Sequence, residues 1–181
     1  LHRMPGTTVE RNLNRADSLS GSRLPNSWAG GVSLEGLYGT AGMDFKQHIY
    51  YKDPPSNENV KAKKSWFMFD DEVVALGAGI TSMSGLVTET VFENRAINSQ
   101  GNNTLMVNGA TKSSSLGWSE TMNGVNWIHL DGTGGYVFPG GTQVKGLREK
   151  REGEWYDINN YLYDLADDDF NSTAQGGVWQ W

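Results

Sequence analysis

The chain has 181 residues, a length that predicts one domain, or one domain and a fragment of another. Its 23 glycines, seven Trp, seven Tyr and six Phe are typical of a turn-rich globular β protein. The absence of cysteine excludes disulfide scaffolds, zinc fingers and cysteine nucleophiles. A net charge of −6 argues against a nucleic-acid binder. No apolar run reaches the ~18 residues of a membrane span.

The first third of the chain alternates loops and strands. Residues 1–33 are rich in Pro, Gly, Ser and Asn with no regular period, which predicts an extended, loop-dominated segment. Residues 34–51 predict two strands separated by a glycine break at Gly39–Gly42. Residues 52–64 contain Pro54-Pro55 and a polar run, so they predict a surface loop.

The clearest strands lie in the middle of the chain. Ser65–Phe69 and Val73–Ile80 flank the acidic turn Asp70–Glu72, and together they form a hairpin pattern in which the second strand is nearly all apolar. Leu86–Asn94 alternates apolar or β-branched residues with polar ones. This alternation predicts a strand with one face buried and one face in water.

The second half predicts further short strands closed by turns. The strands are 105–109, 126–131, 135–139 and one that begins at 152. The glycine-rich stretches 132–135 and 140–141 predict turns and not phosphate loops, because no Lys-Ser/Thr follows them. Strands recur about every ten residues without an amphipathic helix, so the fold class is all-β, a large antiparallel β-sandwich.

The histidines are the first candidates for chemistry. They stand at positions 2, 48 and 129, and none has the spacing of a metal site. His129 lies on a strand between Ile128 and Leu130, where a structural role is favoured over that of a catalytic base. His48 lies near Tyr50, so an acid/base pair is one interpretation and an ordinary strand edge is the favoured one.

Charged residues form clusters of both signs. The acidic groups Asp70–Glu72 and Asp167–Asp169 are interpreted as solvated turns, so no cofactor is predicted, with Ca²⁺ as the alternative. If the basic side chains converge beside exposed aromatic rings, they suit an anionic sugar chain; scattered surface charge is the alternative. These basic residues are Arg3, Arg11, Arg15, Arg23, Lys61, Lys63, Lys64, Lys145, Arg148, Lys150 and Arg151.

Several segments share their residues, in order, with one known family. They are Arg3–Val9, Ser27–Gly31, Tyr38–Met43, Lys64–Asp70, Val74–Ile80, Glu93–Arg95, and Trp127–Gly132 with Gly135-Tyr136. Together they resemble the central β domain of polysaccharide lyase family eight, which includes hyaluronate, chondroitin AC and xanthan lyases. The block from Lys64 to Ile80 is the most specific part. The resemblance implies a central β-sandwich domain at 1–160, with 161–181 as an atypical or truncated tail.

The resemblance also implies a function. Such enzymes join an N-terminal α/α-toroid to a β region, are secreted by bacteria, and cleave uronic-acid-containing polysaccharides by β-elimination. Their catalytic Asn, His, Tyr and Arg lie in the toroid, so no catalytic residue is predicted here and the chain alone is expected to be inactive. Two further readings are a non-catalytic carbohydrate-binding module and a structural scaffold for a neighbouring catalytic domain.

Two residues resemble substrate contacts of the family's β domain, which forms the wall of the cleft opposite the toroid. Asn94 matches a substrate-contacting asparagine, and Arg95 beside it is expected to face a carboxylate of the anionic polysaccharide. The alternative is that both are turn residues at the end of a strand.

Overall fold

The computed structural model describes residues 4–10, 28–48, 58–83, 85–98, 100–154 and 178–180. Twelve strands and no helix lie in these ranges, and every paired strand is antiparallel. The all-β, antiparallel prediction is therefore confirmed. These residues contain no helix that is long and apolar enough to cross a membrane. The chain divides into two compact units, Leu1–Asn94 and Arg95–Trp181.

The first unit contains a four-stranded sheet and a two-stranded one. Their strands are β1 (Thr8–Glu10), β2 (Ala29–Leu34), β3 (Tyr38–His48), β4 (Glu58–Met68), β5 (Val73–Ser82) and β6 (Thr88–Thr90). The larger sheet has the order β2-β3-β4-β5, and β1 pairs with β6. Consecutive strands are neighbours in the larger sheet, so it is a simple meander.

One end of β4 provides the core of the first unit. Val60 and Ala62 alternate with exposed lysines, and their side chains are buried. Lys64 continues the same face and reaches β1, since its Nζ donates to Thr8 Oγ1 at 3.1 Å. The small sheet of β1 and β6 therefore covers this face of the larger sheet at its Val60–Lys64 end.

Several boundaries in the first unit differ from the sequence predictions. β3 runs without interruption through Gly39–Gly42, so the predicted glycine break is wrong. At Gly42 an added Cβ would lie 2.6 Å from the ring of Trp28, so the glycine makes room for that ring. β4 begins at Glu58, inside the predicted loop, and the predicted strand at Leu86–Asn94 is only three residues long. β1 and the start of β2 lie within the segment predicted to be loop.

The second unit is dominated by one long hairpin. Its strands are β7 (Leu105–Val107), β8 (Ala110–Thr111), β9 (Trp118–Leu130), β10 (Gly134–Arg148), β11 (Glu152–Glu154) and β12 (Val178–Gln180). The main sheet has the order β10-β9-β7-β8, and β11 pairs with β12. The strands predicted at 126–131 and 135–139 are present, as parts of much longer strands.

Glycines shape the hairpin of β9 and β10 in two different ways. Gly132 has a φ of 73° in the tight turn between the strands, so the turn predicted at 132–135 is confirmed at 132–133, while Gly134 and Gly135 already belong to β10. Gly140 and Gly141 have φ values of 85° and 76°, but they lie inside β10, where the register with β9 shifts between Val137 and Thr142. The turn predicted at these two residues is therefore wrong, and they form a β-bulge instead.

The core of the second unit lies on one face of this sheet. Met122, Val125, Ile128 and Leu130 of β9 are buried, together with Val144 of β10. His129, between two of them, is exposed on the opposite face, as the alternation predicts.

Candidate functional site

The candidate substrate contacts lie in the irregular segment that follows β6. Asn94 is half-buried and Arg95 is exposed, and they stand four and five residues after the end of the strand. The backbone N–H of Asn94 donates to Glu93 Oε1 at 2.8 Å, so the preceding carboxylate turns back onto the main chain. The structure thus places both residues on irregular backbone beyond the sheet, the position in which binding residues are commonly presented.

Arg95 leads into a run of amide side chains. We call residues 95–104 the amide-rich loop; it carries Asn98, Gln100, Asn102 and Asn103. Asn98 Oδ1 accepts from the backbone N–H of Asn102 at 3.1 Å, and Asn98 Nδ2 donates to Asn102 Oδ1 at 2.5 Å. The backbone N–H of Asn98 donates in turn to Asn103 Oδ1 at 2.8 Å. Side-chain amides therefore connect Asn98 to Asn102 and Asn103 through bonds to each other and to the backbone.

A buried arginine fixes this loop to β10. Arg148 is 7 % exposed, and its guanidinium donates to the carbonyl oxygens of Gly101 and Asn103, the second at 2.7 Å. Asn103 also donates through Nδ2 to the carbonyl of Asp131 at 2.9 Å. The loop is thus attached at one point to β10 and at another to the turn after β9. Arg148 is buried, so for this residue neither a convergent basic surface nor scattered surface charge is correct.

Lys64 is a second basic residue that does not lie on the surface. Its Nζ donates to the carbonyl of Gly6 at 2.7 Å and to Thr8 Oγ1, and it stands 5.6 Å from the ring centroid of Trp66. Burial lowers the pKa of Lys64 from its ordinary value of 10.5. Lys61 and Lys63 are exposed on the opposite face of β4. The three lysines therefore do not converge on one anion-binding surface.

The remaining candidates are distributed as follows. The acidic turn Asp70–Glu72 is exposed between β4 and β5. Among the described residues, no three His, Asp or Glu side chains are grouped so that they could hold a metal ion. His48 is the last residue of β3, and its side chain is not described. The described ranges also leave out His2, Tyr50 and Asp167–Asp169. His129 faces outward, level with Met106 and Gly135 on the neighbouring strands.

The chemistry of Asn94, Arg95 and the amide-rich loop is that of binding. Carboxamides donate and accept hydrogen bonds, as the hydroxyl groups of a sugar do, and a guanidinium pairs with a carboxylate through two parallel bonds. Neither group exchanges a proton near neutral pH. These side-chain types are therefore suited to hydrogen bonding and ion pairing and not to acid or base catalysis.

Comparison with known proteins connects this arrangement to a family. The model of the polysaccharide lyase family 8 super-sandwich domain matches residues 1–173. The chain belongs to polysaccharide lyase family 8. It is 47% identical over 165 residues to a xanthan lyase of Bacillus sp. (strain GL1), covering 88% of this chain and 16% of that protein. It is 39% identical over 159 residues to a hyaluronate lyase of Thermasporomyces composti, covering 87% and 19%.

A third relative is a chondroitinase-AC of Pedobacter heparinus, which is 30% identical to this chain over 165 residues. The match covers 87% of this chain and 21% of that protein. A solved structure of Paenibacillus xanthan lyase superimposes with a TM-score of 0.78 at 47% identity, covering 99% of this chain and 16% of that one. The family resemblance and the super-sandwich fold are thus confirmed. The chain spans between about a sixth and a fifth of the length of these relatives.

Sequence reasoning missed the anchoring of the amide-rich loop. The signal for the loop itself was visible as a run of four Asn or Gln residues between 98 and 103. No signal identified Arg148 as its anchor, because its acceptors are backbone carbonyls 47 and 45 residues earlier in the chain. The assignment of Asn94 and Arg95 as substrate contacts stays a prediction.

Proposed function

We propose that this chain is the super-sandwich portion of a secreted bacterial lyase that cleaves a uronic-acid-containing polysaccharide by β-elimination. The observation that carries the proposal is the match, over most of the chain, to proteins named xanthan, hyaluronate and chondroitin lyases. In each of them the matched region is a minor part of the protein. We call the longer enzyme to which this chain would belong the parent lyase. Secretion is part of the proposal because these polymers are extracellular.

Within the parent lyase this chain binds the polysaccharide and leaves the chemistry to another domain. Asn94 donates and accepts hydrogen bonds with sugar hydroxyls, and Arg95 pairs with a uronate carboxylate. The amide-rich loop, held by Arg148, fixes the backbone that follows Arg95. The proton transfers of the elimination are assigned to an N-terminal α/α-toroid, which is the partner domain of this one.

The test follows the ultraviolet absorbance of the unsaturated uronate that β-elimination forms. The parent lyase and its Asn94→Ala and Arg95→Ala variants are assayed with hyaluronan, chondroitin sulfate and xanthan. A hydrogen bond to a charged group contributes ~1.5–3 kcal/mol, so kcat/KM with Arg95→Ala should fall by roughly 10- to 100-fold. Asn94→Ala removes neutral bonds of ~0.5–1.5 kcal/mol and should lower kcat/KM by roughly 2- to 10-fold.

Matched controls come from the same chain. Arg151→Ala removes an arginine that pairs with Glu149 at 2.5 Å, and Asn123→Ala removes an amide that accepts from Gln143 at 2.7 Å. Both should retain the activity of the parent lyase. If Asn94→Ala and Arg95→Ala behave like these controls, the two residues do not contact the substrate. If the 181-residue chain alone produces the absorbance, the assignment of the chemistry to another domain is refuted.

A further inference from the structure

The sequence contains two Asn-Gly pairs, Asn108-Gly109 and Asn123-Gly124. Asparagine is a chemically labile residue, because its carboxamide carbon is open to attack by the backbone nitrogen of the next residue. Glycine in that next position has no side chain to hinder the attack and leaves the backbone the most freedom. Each pair follows an apolar residue, Val107 or Met122, so the two local sequences are alike. A difference in their reactivity in the folded chain must therefore come from the structure.

The surroundings of the two glycines do not distinguish the pairs. Among the described residues, no atom beyond the immediate chain neighbours would lie within 4 Å of a Cβ built on Gly109 or on Gly124. Both glycines have a positive φ, 85° and 62° respectively. Asn108 and Asn123 are both exposed to water. The pairs therefore differ only in how the carboxamide of each asparagine is bonded.

Three hydrogen bonds fix the carboxamide of Asn108 to β9. Asn108 and Gly109 form the two-residue turn between β7 and β8. Oδ1 of Asn108 accepts from the backbone N–H groups of Asn126 and Trp127 at 2.9 and 3.1 Å, and Nδ2 donates to the carbonyl of Gly124 at 3.0 Å. The carboxamide has to leave these partners before it can turn toward the backbone nitrogen of Gly109. The fold thus withholds the reacting carbon of Asn108.

The carboxamide of Asn123 is held more loosely. The register of β9 with β10 shifts here, so that Asn123 and Gly124 together lie opposite Gln143 in a β-bulge. Among the described residues, the carboxamide of Asn123 has one hydrogen-bond partner, since Oδ1 accepts from Nε2 of Gln143 at 2.7 Å. Gln143 is itself exposed, so its side chain can move together with that of Asn123. Nδ2 of Asn123, the group that deamidation expels, takes no part in this bond.

We propose that Asn123 is a site of spontaneous deamidation and that the bonds of Asn108 to β9 protect it from the same reaction. The backbone nitrogen of Gly124 attacks Cγ of Asn123 and forms a C–N bond, while the proton of that nitrogen passes through water to Nδ2. The bond from Cγ to Nδ2 breaks and ammonia leaves. Water then opens the resulting succinimide at either of its C–N bonds, which gives aspartate or isoaspartate at position 123. The reaction consumes only water.

The size of the effect follows from the hydrogen bonds. Asn108 has two more of them to break than Asn123 has. We expect Asn123 to convert roughly 5- to 30-fold faster than Asn108 in the folded chain, which corresponds to ~1–2 kcal/mol at ~1.4 kcal/mol per tenfold in rate. In guanidinium chloride, where these bonds are absent, the two rates should be equal.

The test follows both asparagines in one sample. The chain is incubated in mildly alkaline buffer with and without guanidinium chloride, digested with trypsin at intervals, and analysed by mass spectrometry. Lys112 lies between the two pairs, so they fall in different peptides, and fragment masses assign each conversion to its residue. Asn123→Gln is the control, because glutamine has to close a larger ring and conversion at this position should stop. The same peptides are released from the parent lyase, which replaces the chain if the chain alone shows no cooperative unfolding.

Four results would overturn the proposal. Equal rates at Asn108 and Asn123 in the folded protein would show that the bonds to β9 give no protection. Conversion of Asn123 only in guanidinium chloride would show that the β-bulge protects it as well. Faster conversion of Asn108 would show that the N–H groups on its Oδ1 activate the carboxamide. A difference that persists in guanidinium chloride would assign the preference to the sequence and not to the fold. Substrate takes no part in these measurements, so their outcome is independent of the proposed function.

Discussion

Replacing Arg148 with methionine tests whether this side chain holds the amide-rich loop. Methionine keeps the apolar stem and removes both hydrogen bonds to the carbonyls of Gly101 and Asn103. Each hydrogen bond to a charged group contributes ~1.5–3 kcal/mol. The low end applies because Gly101 and Asn103 are half-buried, so water replaces part of the hydrogen bonding that their carbonyls lose. Methionine also avoids the desolvation cost of burying a cation, which offsets part of this loss. We therefore expect Arg148→Met to lower the free energy of unfolding by about 2 kcal/mol.

The assay is urea unfolding followed by tryptophan fluorescence, with the loss read from the shift in midpoint at constant m-value. Arg151→Met is the matched control: its ion pair with Glu149 is partly exposed, so the change should stay within about 0.5 kcal/mol. Hydrogen exchange locates the effect, since the amides of Asn98 and Asn102 are bonded within the loop and should lose protection in Arg148→Met. The reasoning is refuted if Arg148→Met is as stable as Arg151→Met and the exchange of both amides is unchanged.

Two further residues, a buried lysine and an exposed asparagine with positive φ, are tested by substitution. Burial lowers the pKa of Lys64 below 10.5, so the unfolded chain holds the ammonium proton more tightly than the folded one. Between the lowered pKa and 10.5, the free energy of unfolding of wild type should therefore rise with pH relative to that of Lys64→Met. Urea midpoints across that range measure it, and a pH-independent difference would contradict it. Asn108 has a φ of 47° and accepts through Oδ1 from the N–H groups of Asn126 and Trp127, at 2.9 and 3.1 Å. Asn108→Gly should lower the free energy of unfolding by ~1–2 kcal/mol through the lost hydrogen bonds. Asn108→Ala should lower it by ~1 kcal/mol more, because alanine disfavours positive φ. Equal thermal stability of the two variants would argue against this account.

The sequence predicted best where the determinants are local. The hairpin around Asp70–Glu72 combines two apolar segments with an acidic turn, and the structure has β4 and β5 on either side of it. The sequence does not predict the start of β4, because its lysines and the preceding prolines are typical of a loop. The alternation of Val60 and Ala62 with lysines was nevertheless a period-two pattern, and both apolar side chains are buried.

Features that depend on distant parts of the chain were not predictable. Gly42 lies inside β3 because the ring of Trp28, fourteen residues earlier, occupies the space of a side chain there. Residue identity around Gly42 does not show this contact, so the sequence predicts a break in the strand. The acceptors of Arg148 are backbone carbonyls, which leave no trace in residue identity. For the candidate site, the sequence supplied Asn94 and Arg95 by resemblance, and only the structure revealed how the loop that follows them is held.

The disagreement between pattern and exposure in β5 has a physical meaning. A continuous apolar run such as Val73–Leu76 is typical of a strand buried on both faces, yet residues 73–81 are all exposed in this chain. A long, exposed, apolar edge strand promotes association between chains, and proteins normally cover or charge such edges. The composition of β5 is therefore that of a covered strand, while the described part of the chain leaves it exposed. The exposed side chains lie on both faces of β5, Val74 and Leu76 on one and Val73 on the other, so the mismatch concerns the whole strand and not a single face.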